Sequence, residues 1–188
     1  MLKVKRLSIL IYMLLLSMIC PAQNFSEHSE NSEKRKFSFS IGPSVSYKYA
    51  EGPQNFSGGM DVWGIKVRAG FKDDPKFGAH YTSGRTRSES MEFKIETKGL
   101  SIEKPLNKDE TIGIRANFGL GKVQQKSLFS NQMYLDNSFG YFEPQLTTAL
   151  KLSDSFRLEF FLGYNFADVT AAKVEGFTAG AEVFMGRF

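Results

Sequence analysis

The sequence predicts an all-β protein, an eight-stranded antiparallel up-and-down transmembrane β-barrel. Apolar and polar residues alternate in eight separate segments of residues 37–188, and a β-strand places successive side chains on opposite faces. An export signal stands at the N-terminus, and short turns alternate with longer polar connections. We therefore predict a single domain, residues 37–188, that crosses a bilayer as a barrel.

The first segment, residues 1–22, is predicted to be a signal peptide. Residues 1–6 carry three basic side chains, and residues 7–19 form an apolar core that is short for a spanning helix. Small residues allow cleavage after Ala22, so we expect the mature chain to begin at Gln23. A retained membrane anchor is the alternative. Cleavage removes Cys20, the one cysteine, and with it any disulfide or thiol chemistry.

Residues 23–36 are predicted to be a disordered periplasmic lead-in, because this polar run cannot bury apolar surface. After the signal no apolar run reaches about eighteen residues, which excludes a helical membrane protein. The formal net charge of +4 is modest. Since export separates the chain from nucleic acid, we predict no nucleic-acid partner.

The strands are predicted in order from the alternation. The first four cover residues 37–49, 63–71, 77–82 and 91–102. In strand four, Met91, Phe93, Ile95 and Thr97 are assigned to the lipid face. The apolar set then changes parity to Leu100, which predicts a bulge near Gly99.

The last four strands are predicted at residues 112–121, 141–152, 156–166 and 176–188. Strand seven is the clearest, with large apolar residues at every even position from Phe156 to Phe166 and with Arg157 and Glu159 on the opposite face. Eight is an even number, as single-chain bacterial barrels require.

The connections also fit this fold. Short turns follow strands two, four and six, whereas longer polar links follow strands one, five and seven at residues 50–59, 122–138 and 167–175. Turns in the periplasm and loops outside are the outer-membrane arrangement, and both termini then lie in the periplasm.

The chain resembles the small eight-stranded outer-membrane barrels of the OmpA/OmpX type, in the porin-like family with an outer membrane protein beta-barrel domain. The resemblance covers residues 37–188 and rests on the alternation, the loop asymmetry and the C-terminal sequence GFTAGAEVFMGRF. It implies the cell outer membrane as location and outer-membrane lipid and lipopolysaccharide as neighbours. It also implies that Phe184 and Phe188 form the signal read by the barrel-assembly machinery.

This C-terminal sequence departs from the family pattern in one respect. In the family, residues in step with the terminal aromatic are apolar and face lipid, but here that set includes Glu182 and Gly186. We expect either a bulge that resets the parity or a C-terminus that lies beyond the membrane.

A soluble lipocalin-like barrel or β-sandwich would alternate in the same way but would bury the apolar face. The export signal, the long strands and the aromatic residues near strand ends favour the transmembrane barrel.

The polar faces are predicted to fill the barrel interior, which in an eight-stranded barrel has room for side chains only. Opposite charges are expected to pair there as a structural requirement, because an unpaired buried charge is costly. An ion path or gate is the functional alternative. The predicted interior network consists of Lys66, Arg68, Glu92, Lys94, Glu96, Arg115, Glu143, Arg157, Glu159 and Glu182.

A catalytic candidate is the sequence around His80. It partly resembles the His-x-Ser-Asn motif of outer-membrane lipid A deacylases, with Glu92 or Glu96 on the next strand to orient the histidine. Thr82 stands where that motif has its nucleophilic serine, and Ser83 replaces the asparagine. We therefore predict a structural histidine, no enzyme and no cofactor, with no metal or phosphate motif.

Basic and aromatic residues of the outer connections are candidate contacts for ligands. Arg85, Arg87, Lys122 and Lys126 are candidates to bind lipopolysaccharide phosphates, and ordinary solvated charge is the alternative. Loop aromatic residues could contact an extracellular ligand: Phe56, Phe129 and Tyr134.

Three classes of function follow from the sequence. The preferred one is a structural or surface-interaction barrel with its interior filled by polar side chains. The second is a narrow channel or transporter for small solutes, and the third is a lipid A-modifying hydrolase that uses His80.

Overall fold

The computed structural model describes residues 36–72 and 74–188, which form a closed barrel of eight antiparallel strands. Each strand pairs with the next, and the last pairs with the first. The predicted fold class is confirmed. The predicted signal peptide and most of the lead-in lie outside the described residues. The strands are β1 (Phe37–Gly52), β2 (Phe56–Phe71), β3 (Lys76–Arg87), β4 (Met91–Pro105), β5 (Ile112–Ser127), β6 (Met133–Lys151), β7 (Phe156–Ala167) and β8 (Gly176–Arg187).

The two ends of the barrel differ in their connections. We call the end where β1 starts and β8 finishes the turn end, and the opposite end the loop end. At the loop end the strands continue into the predicted long links, so that only residues 53–55, 88–90, 128–132 and 168–175 connect them. The prediction of long loops is therefore wrong for residues 50–59 and 122–138, whereas the link predicted at 167–175 is present as the connection 168–175. The polar residues beyond the membrane-spanning segments are also β-strand. Their backbone N–H and C=O groups continue the hydrogen-bonded ladders between neighbouring strands.

The predicted bulge near Gly99 is absent. The pairing of β4 with β3 and with β5 runs through Gly99 without a shift in register. A Cβ at this position would lie 2.1 Å from the carbonyl oxygen of Phe118, which explains why glycine is required where the two backbones approach. Along the β5–β6 ladder the register shifts between Gln125 and Lys126 instead.

An apolar belt surrounds the outside of the barrel near the turn end. Along β2 the outward side chains of the belt run from Trp63 to Phe71. This stretch is nine residues long, which is enough for a tilted strand to cross a bilayer. Exposed aromatic side chains mark both edges of the belt, as expected at membrane interfaces. They are Tyr47, Tyr49, Trp63, Tyr81 and Phe177 toward the loop end, and Phe37, Phe71, Phe77 and Phe156 toward the turn end.

Inside the belt the two faces of the strands are arranged as predicted. Phe160 and Leu162 are exposed on the outside, whereas Arg157 and Glu159 are buried in the interior. We call this part of the barrel the belt half. An apolar exterior around a polar interior is the arrangement of a barrel in lipid rather than of a soluble barrel.

Toward the loop end the chemistry of the two faces is exchanged. In β4, Phe93 is 0% and Ile95 is 2% exposed, while Lys94 and Glu96 point outward, each with about a third of its side chain exposed. The assignment of Met91, Phe93, Ile95 and Thr97 to the lipid face is wrong. The even-numbered residues of β4 face outward on both sides of Gly99. What changes is their chemistry, because they are polar before Gly99 and apolar just after it.

The interior of this loop half is an apolar core. It contains residues from β1, β2, β4, β5, β6 and the β7–β8 connection, so it joins strands from all around the barrel. Its members are Ala50, Phe56, Met60, Val62, Phe93, Ile95, Val123, Leu135, Phe139, Tyr141, Val169 and Val174. The loop half is therefore built like a soluble barrel, with apolar residues inside and polar residues outside.

No helix long and apolar enough to cross a membrane is found in residues 36–72 and 74–188.

Candidate functional site

The interior of the belt half holds a network of ion pairs with Arg115 at its centre. Two nitrogens of the Arg115 guanidinium, Nε and Nη2, donate to Glu103 Oε2 at 3.0 and 2.9 Å. Nη1 donates to Glu182 Oε2 at 2.9 Å, and Nη2 also donates to Glu159. Because Arg115 is only 1% exposed, three carboxylates around one guanidinium compensate for its loss of water.

Arg68 forms a second centre of the network. Its Nη1 lies 2.8 Å from Glu103 Oε2 and 2.9 Å from Glu159 Oε2, so both arginines share the same two carboxylates. Its Cζ lies 3.9 Å from the centre of the Phe184 ring, a cation–π distance. The network is thus closed toward the turn end by an aromatic ring.

Three lysine–glutamate pairs extend the network along the barrel axis. Each joins a lysine Nζ to a glutamate carboxylate over a short distance. The pairs are Lys48–Glu143 at 2.8 Å, Lys66–Glu182 at 2.6 Å and Lys76–Glu110 at 2.5 Å. All six side chains are buried.

The structure places seven of the ten predicted network residues in the interior, where they are less than a tenth exposed. They are Lys66, Arg68, Arg115, Glu143, Arg157, Glu159 and Glu182. Glu92, Lys94 and Glu96 lie instead on the outer face of β4, and their prediction as interior residues is wrong. The reason is that in the loop half the apolar side chains face inward and the polar ones outward. Alternation in the sequence shows which residues share a face but not which face is the inner one.

Several interior charges were missed by the sequence prediction. Lys76 and Glu103 occupy inward positions that alternate with Phe77 and Ile102, so the alternation contained a signal for them. Glu110 belongs to the β4–β5 turn and reaches the interior from outside the strands. No strand pattern could have identified it.

His80 lies in the interior of the barrel. Its Nε2 is hydrogen-bonded to the Tyr141 hydroxyl. Thr82 lines the same small cavity as His80, but its hydroxyl is bonded to that of Thr97, at 2.6 Å. Glu92 and Glu96, the predicted orienting carboxylates, lie on the outer face of the wall, so the predicted set of three groups is not assembled.

The space next to His80 is small. A cavity of about 30 Å³ is lined by His80, Asn117, Glu143 and other polar residues, and it has room for roughly one or two water molecules. The ion network lies on its turn-end side and the apolar core on its loop-end side. Interior side chains of this kind support the barrel wall, as expected for the narrow interior of an eight-stranded barrel.

Three of the four candidate lipopolysaccharide contacts come together on the outside of the loop half. Around Glu92, Arg87 Nε lies 2.7 Å, Lys126 Nζ 3.4 Å and Arg85 Nη1 3.8 Å from a carboxylate oxygen. Lys122 lies apart from this group and pairs with Asp136 at 3.0 Å. We call Arg85, Arg87, Lys126 and Glu92 the outer basic cluster.

The charge of Glu92 is stabilised by these neighbours. Burial raises the pKa of Glu92, but hydrogen bonds from Arg87 and Lys126 lower it by more, so the pKa of this carboxyl stays below its ordinary value. The cluster thus has three cations and one anion at neutral pH and carries a net positive charge.

The loop aromatic residues have different environments. Phe56 is buried and stacks on Phe93, so its prediction as a ligand-contacting residue is wrong. Phe129 is 82% exposed on the β5–β6 connection, and Tyr134 is partly buried.

The two C-terminal phenylalanines point into the barrel. Phe184 is fully buried under Arg68, and the Phe188 ring centre lies 6.0 Å from Arg68 Cζ and 5.9 Å from Arg157 Cζ. Glu182 faces the interior on the same side of β8. The expected bulge is absent, because β8 pairs with β7 in continuous register; the terminal aromatic set faces the lumen and packs on arginine.

Among the described residues, no group of three or more His, Cys, Asp or Glu side chains could hold a metal ion.

No protein-family model matches the chain, and no curated protein matches it. Among solved structures, the barrel is similar to Neisserial surface protein A, with 13% identity and a TM-score of 0.60, over 81% of this chain and 98% of that one. It is also similar to Ail, the attachment invasion locus protein of Yersinia pestis, with 16% identity and a TM-score of 0.55, over 80% and 99%. Ail in complex with the heparin analogue sucrose octasulfate matches at 18% identity and a TM-score of 0.53, over 79% and 97%.

These similarities concern the fold, and they agree with the lipid-facing belt and the buried polar interior described above. The chain therefore has the fold of the small eight-stranded outer-membrane β-barrels, and its apolar belt is that of a barrel that spans a lipid bilayer.

Proposed function

We propose that this protein is a non-conducting outer-membrane barrel whose loop half serves as a surface for interactions outside the cell. The observation that carries this proposal is the filled interior. Ion pairs around Arg115 occupy the belt half and the core around Phe93 occupies the loop half. A solute would have to break both layers to pass, which is unfavourable for buried pairs and for packed apolar side chains alike.

The loop half is suited to an interaction role because it is folded and polar outside. In β4, Met91 lies seven positions before Lys98, which corresponds to roughly 23 Å of strand beyond the belt. This surface is supported by its own apolar core, so ligand-contacting side chains are held on a rigid scaffold. A preorganised surface loses little entropy on binding.

The proposed partners are anionic groups such as lipopolysaccharide phosphates. Arg85, Arg87 and Lys126 can donate charge-assisted hydrogen bonds to phosphate or sulfate oxygens, and the similar protein Ail has been solved with a sulfated heparin analogue. Glu92 holds the three cations together in the free protein. A polyanion would have to compete with this carboxylate for their hydrogen bonds.

Conductance is tested in planar bilayers. The purified full-length protein is inserted, and single-channel currents are recorded beside a known porin as positive control. The proposal expects no discrete conductance steps at protein amounts for which the porin gives many. Reproducible steps that scale with the amount of protein would support the channel function instead.

The interaction surface is tested with the sulfated ligand itself. Binding of sucrose octasulfate to the protein in zwitterionic micelles is measured for the wild type and for the triple variant Arg85→Gln, Arg87→Gln, Lys126→Gln. We expect at least tenfold weaker binding of the variant. A matched variant with the same loss of charge at lysines away from the outer basic cluster, Lys98→Gln, Lys104→Gln, Lys173→Gln, should bind like the wild type; equal binding by all three proteins would refute the assignment.

A further inference from the structure

The turn end of the barrel contains a second basic region, separate from the outer basic cluster. A cavity of about 450 Å³ opens at the mouth of the barrel, between the start of β1, the β2–β3 and β4–β5 turns and the ends of β6 and β7. Five basic side chains line it: Lys36, Lys72, Lys108, Lys151 and Arg157. Asp109 and Glu110 are the acidic side chains among the described residues that line it.

Most of these cations are not neutralised by the described residues. Within residues 36–72 and 74–188, no carboxylate lies within 4.0 Å of the ammonium groups of Lys36, Lys72 or Lys108, whereas Lys151 pairs with Asp154 at 2.7 Å. Lys72 and Lys108 also line the neighbouring surface depression between the two turns. The mouth therefore offers several lysine donors to a ligand.

Arg157 forms the inner wall of the mouth. It is 8% exposed, and its guanidinium donates to the Glu110 carbonyl oxygen. Its Nη1 lies 3.6 Å from Glu110 Oε2 and its Nε lies 3.8 Å from Glu159 Oε2, and Nε has no hydrogen-bond partner among the described residues. A buried guanidinium with an unused donor is an incompletely satisfied cation.

The interior network adds to the positive potential of the mouth. Six basic side chains but only five glutamates are buried in the belt half. They are Lys48, Lys66, Arg68, Lys76, Arg115 and Arg157 against Glu103, Glu110, Glu143, Glu159 and Glu182. A concave site with low-dielectric walls concentrates such a field and attracts anions.

We propose that the mouth at the turn end is a binding site for a phosphate-bearing anion. Lysine and arginine together are the side chains that bind phosphate oxygens in proteins. The cavity is larger than a single phosphate needs and accommodates a diphosphate group or the headgroup of a phospholipid. Eight strands place both chain ends at the turn end, and by analogy with outer-membrane barrels, whose short turns are periplasmic, we assign this end to the periplasm, where soluble phosphate compounds and the inner-leaflet lipid are both present.

The site is tested by solution NMR of the full-length protein in zwitterionic micelles, titrated with sodium pyrophosphate at constant ionic strength. Saturable shifts are expected for the backbone amides of Lys72, Lys108 and Thr111 and for the Arg157 Nε–H signal. The variant Lys72→Gln, Lys108→Gln should bind pyrophosphate at least tenfold more weakly. Both side chains are exposed in turns, so this variant is expected to fold.

A control variant carries the same loss of charge in the loop half, Lys98→Gln with Lys122→Gln. It should keep the shifts at the mouth and the affinity of the wild type. Shifts that are absent, that are reproduced by sodium chloride, or that survive unchanged in the Lys72→Gln, Lys108→Gln variant would overturn the proposal. Because the readout is local to the turn end, this result is independent of sulfated-ligand binding at the outer basic cluster.

Two further samples identify the source of the phosphate. The protein is placed in nanodiscs of phosphatidylcholine alone and of phosphatidylcholine with phosphatidylglycerol. If the anionic lipid alone shifts the same signals and pyrophosphate adds nothing, the site binds a lipid headgroup. If pyrophosphate shifts them in both nanodiscs, the site binds a soluble phosphate compound. Absence of shifts at the mouth in both nanodiscs, with and without pyrophosphate, contradicts the proposal.

Discussion

Phe56 stacks on Phe93 inside the loop half, with ring centroids 5.1 Å apart and ring planes 4° from parallel. The two residues belong to β2 and β4, which are separated in the wall by β3. The contact therefore crosses the interior and does not depend on the backbone ladder. It shows that this half of the barrel is held by side-chain packing as well as by hydrogen bonds between strands.

Truncation of Phe93 should strongly destabilise the protein. Phe93→Ala removes a fully buried ring and leaves a cavity in the core, which costs about 3–5 kcal/mol. The free energy is measured by reversible urea unfolding in lipid vesicles. The control Phe129→Ala removes a ring that is 82% exposed and should change stability by less than about 0.5 kcal/mol. Equal effects of the two substitutions would show that the loop half has no cooperative core.

Neutralisation of Glu159 should be costly because this side chain is 0% exposed and contacts both Arg68 and Arg115. Glu159→Gln removes one of the two carboxylates that Arg68 and Arg115 share and leaves Glu103 between both guanidinium groups, and we expect a loss of about 3–5 kcal/mol. Glu96→Gln is the matched change at an exposed pair with Lys94 and should cost less than about 1 kcal/mol. The comparison uses the same unfolding assay, and a small effect at Glu159 would contradict the importance of the network.

The exchange of faces predicts opposite responses to charge on the outside of the barrel. Phe160→Arg places a charge in the middle of the belt and should destabilise by about 2–4 kcal/mol. Lys94→Leu replaces a charge by an apolar residue beyond the belt and should change stability by less than about 0.5 kcal/mol. Both variants are unfolded in the same vesicles. If Lys94→Leu instead stabilised the barrel in thick bilayers, its position would have to be within lipid.

The pH dependence of the loop half should involve Glu92. Its pKa is lower in the folded protein than the ordinary value of 4.5, so its contribution to stability is fully present above about pH 4.5 and is lost as the pH falls through the lowered pKa. Glu92→Gln should therefore destabilise the protein at pH 7 and have little effect at pH 2. The difference in the free energy of unfolding between wild type and variant is measured at both pH values. A difference that grows as the pH falls would contradict the prediction. Glu89→Gln, in the nearby β3–β4 connection, is the control.

Removal of His80 should leave lipid A unchanged. His80→Ala deletes a buried side chain that contacts Tyr141, while the Thr82 hydroxyl is bonded to Thr97 and the predicted carboxylates, Glu92 and Glu96, lie on the outer face. Lipid A is extracted from cells that express either the wild type or the variant and compared by mass spectrometry. A lipid A species present only with the wild type would restore the hydrolase hypothesis.

The sequence was sufficient for the fold and for the polar interior of the belt half. Strands such as β7 have strict alternation and a length suited to the bilayer, so the positions of Phe160 outside and Glu159 inside follow directly from the pattern. The same reasoning failed for Phe93 and Lys94. Alternation determines which residues share a face, but not whether that face is toward lipid, water or the lumen.

The remaining errors have the same origin. The parity change at Gly99 was attributed to the backbone, although the backbone is regular there. Phe56 was assigned to a loop surface, although it belongs to a strand and packs in the interior. Contacts such as Phe184 with Arg68, or Glu110 with Lys76, depend on residues far apart in the chain and have no local signal.

The exchange of faces also means that the two halves of one continuous wall depend on different surroundings. The loop half buries its apolar surface away from water, so denaturants, temperature and cosolvents should act on it as they do on a soluble domain. The belt half exposes its apolar surface to acyl chains, so bilayer thickness should matter most there. A change of lipid and a change of solvent should therefore perturb different parts of the same eight strands.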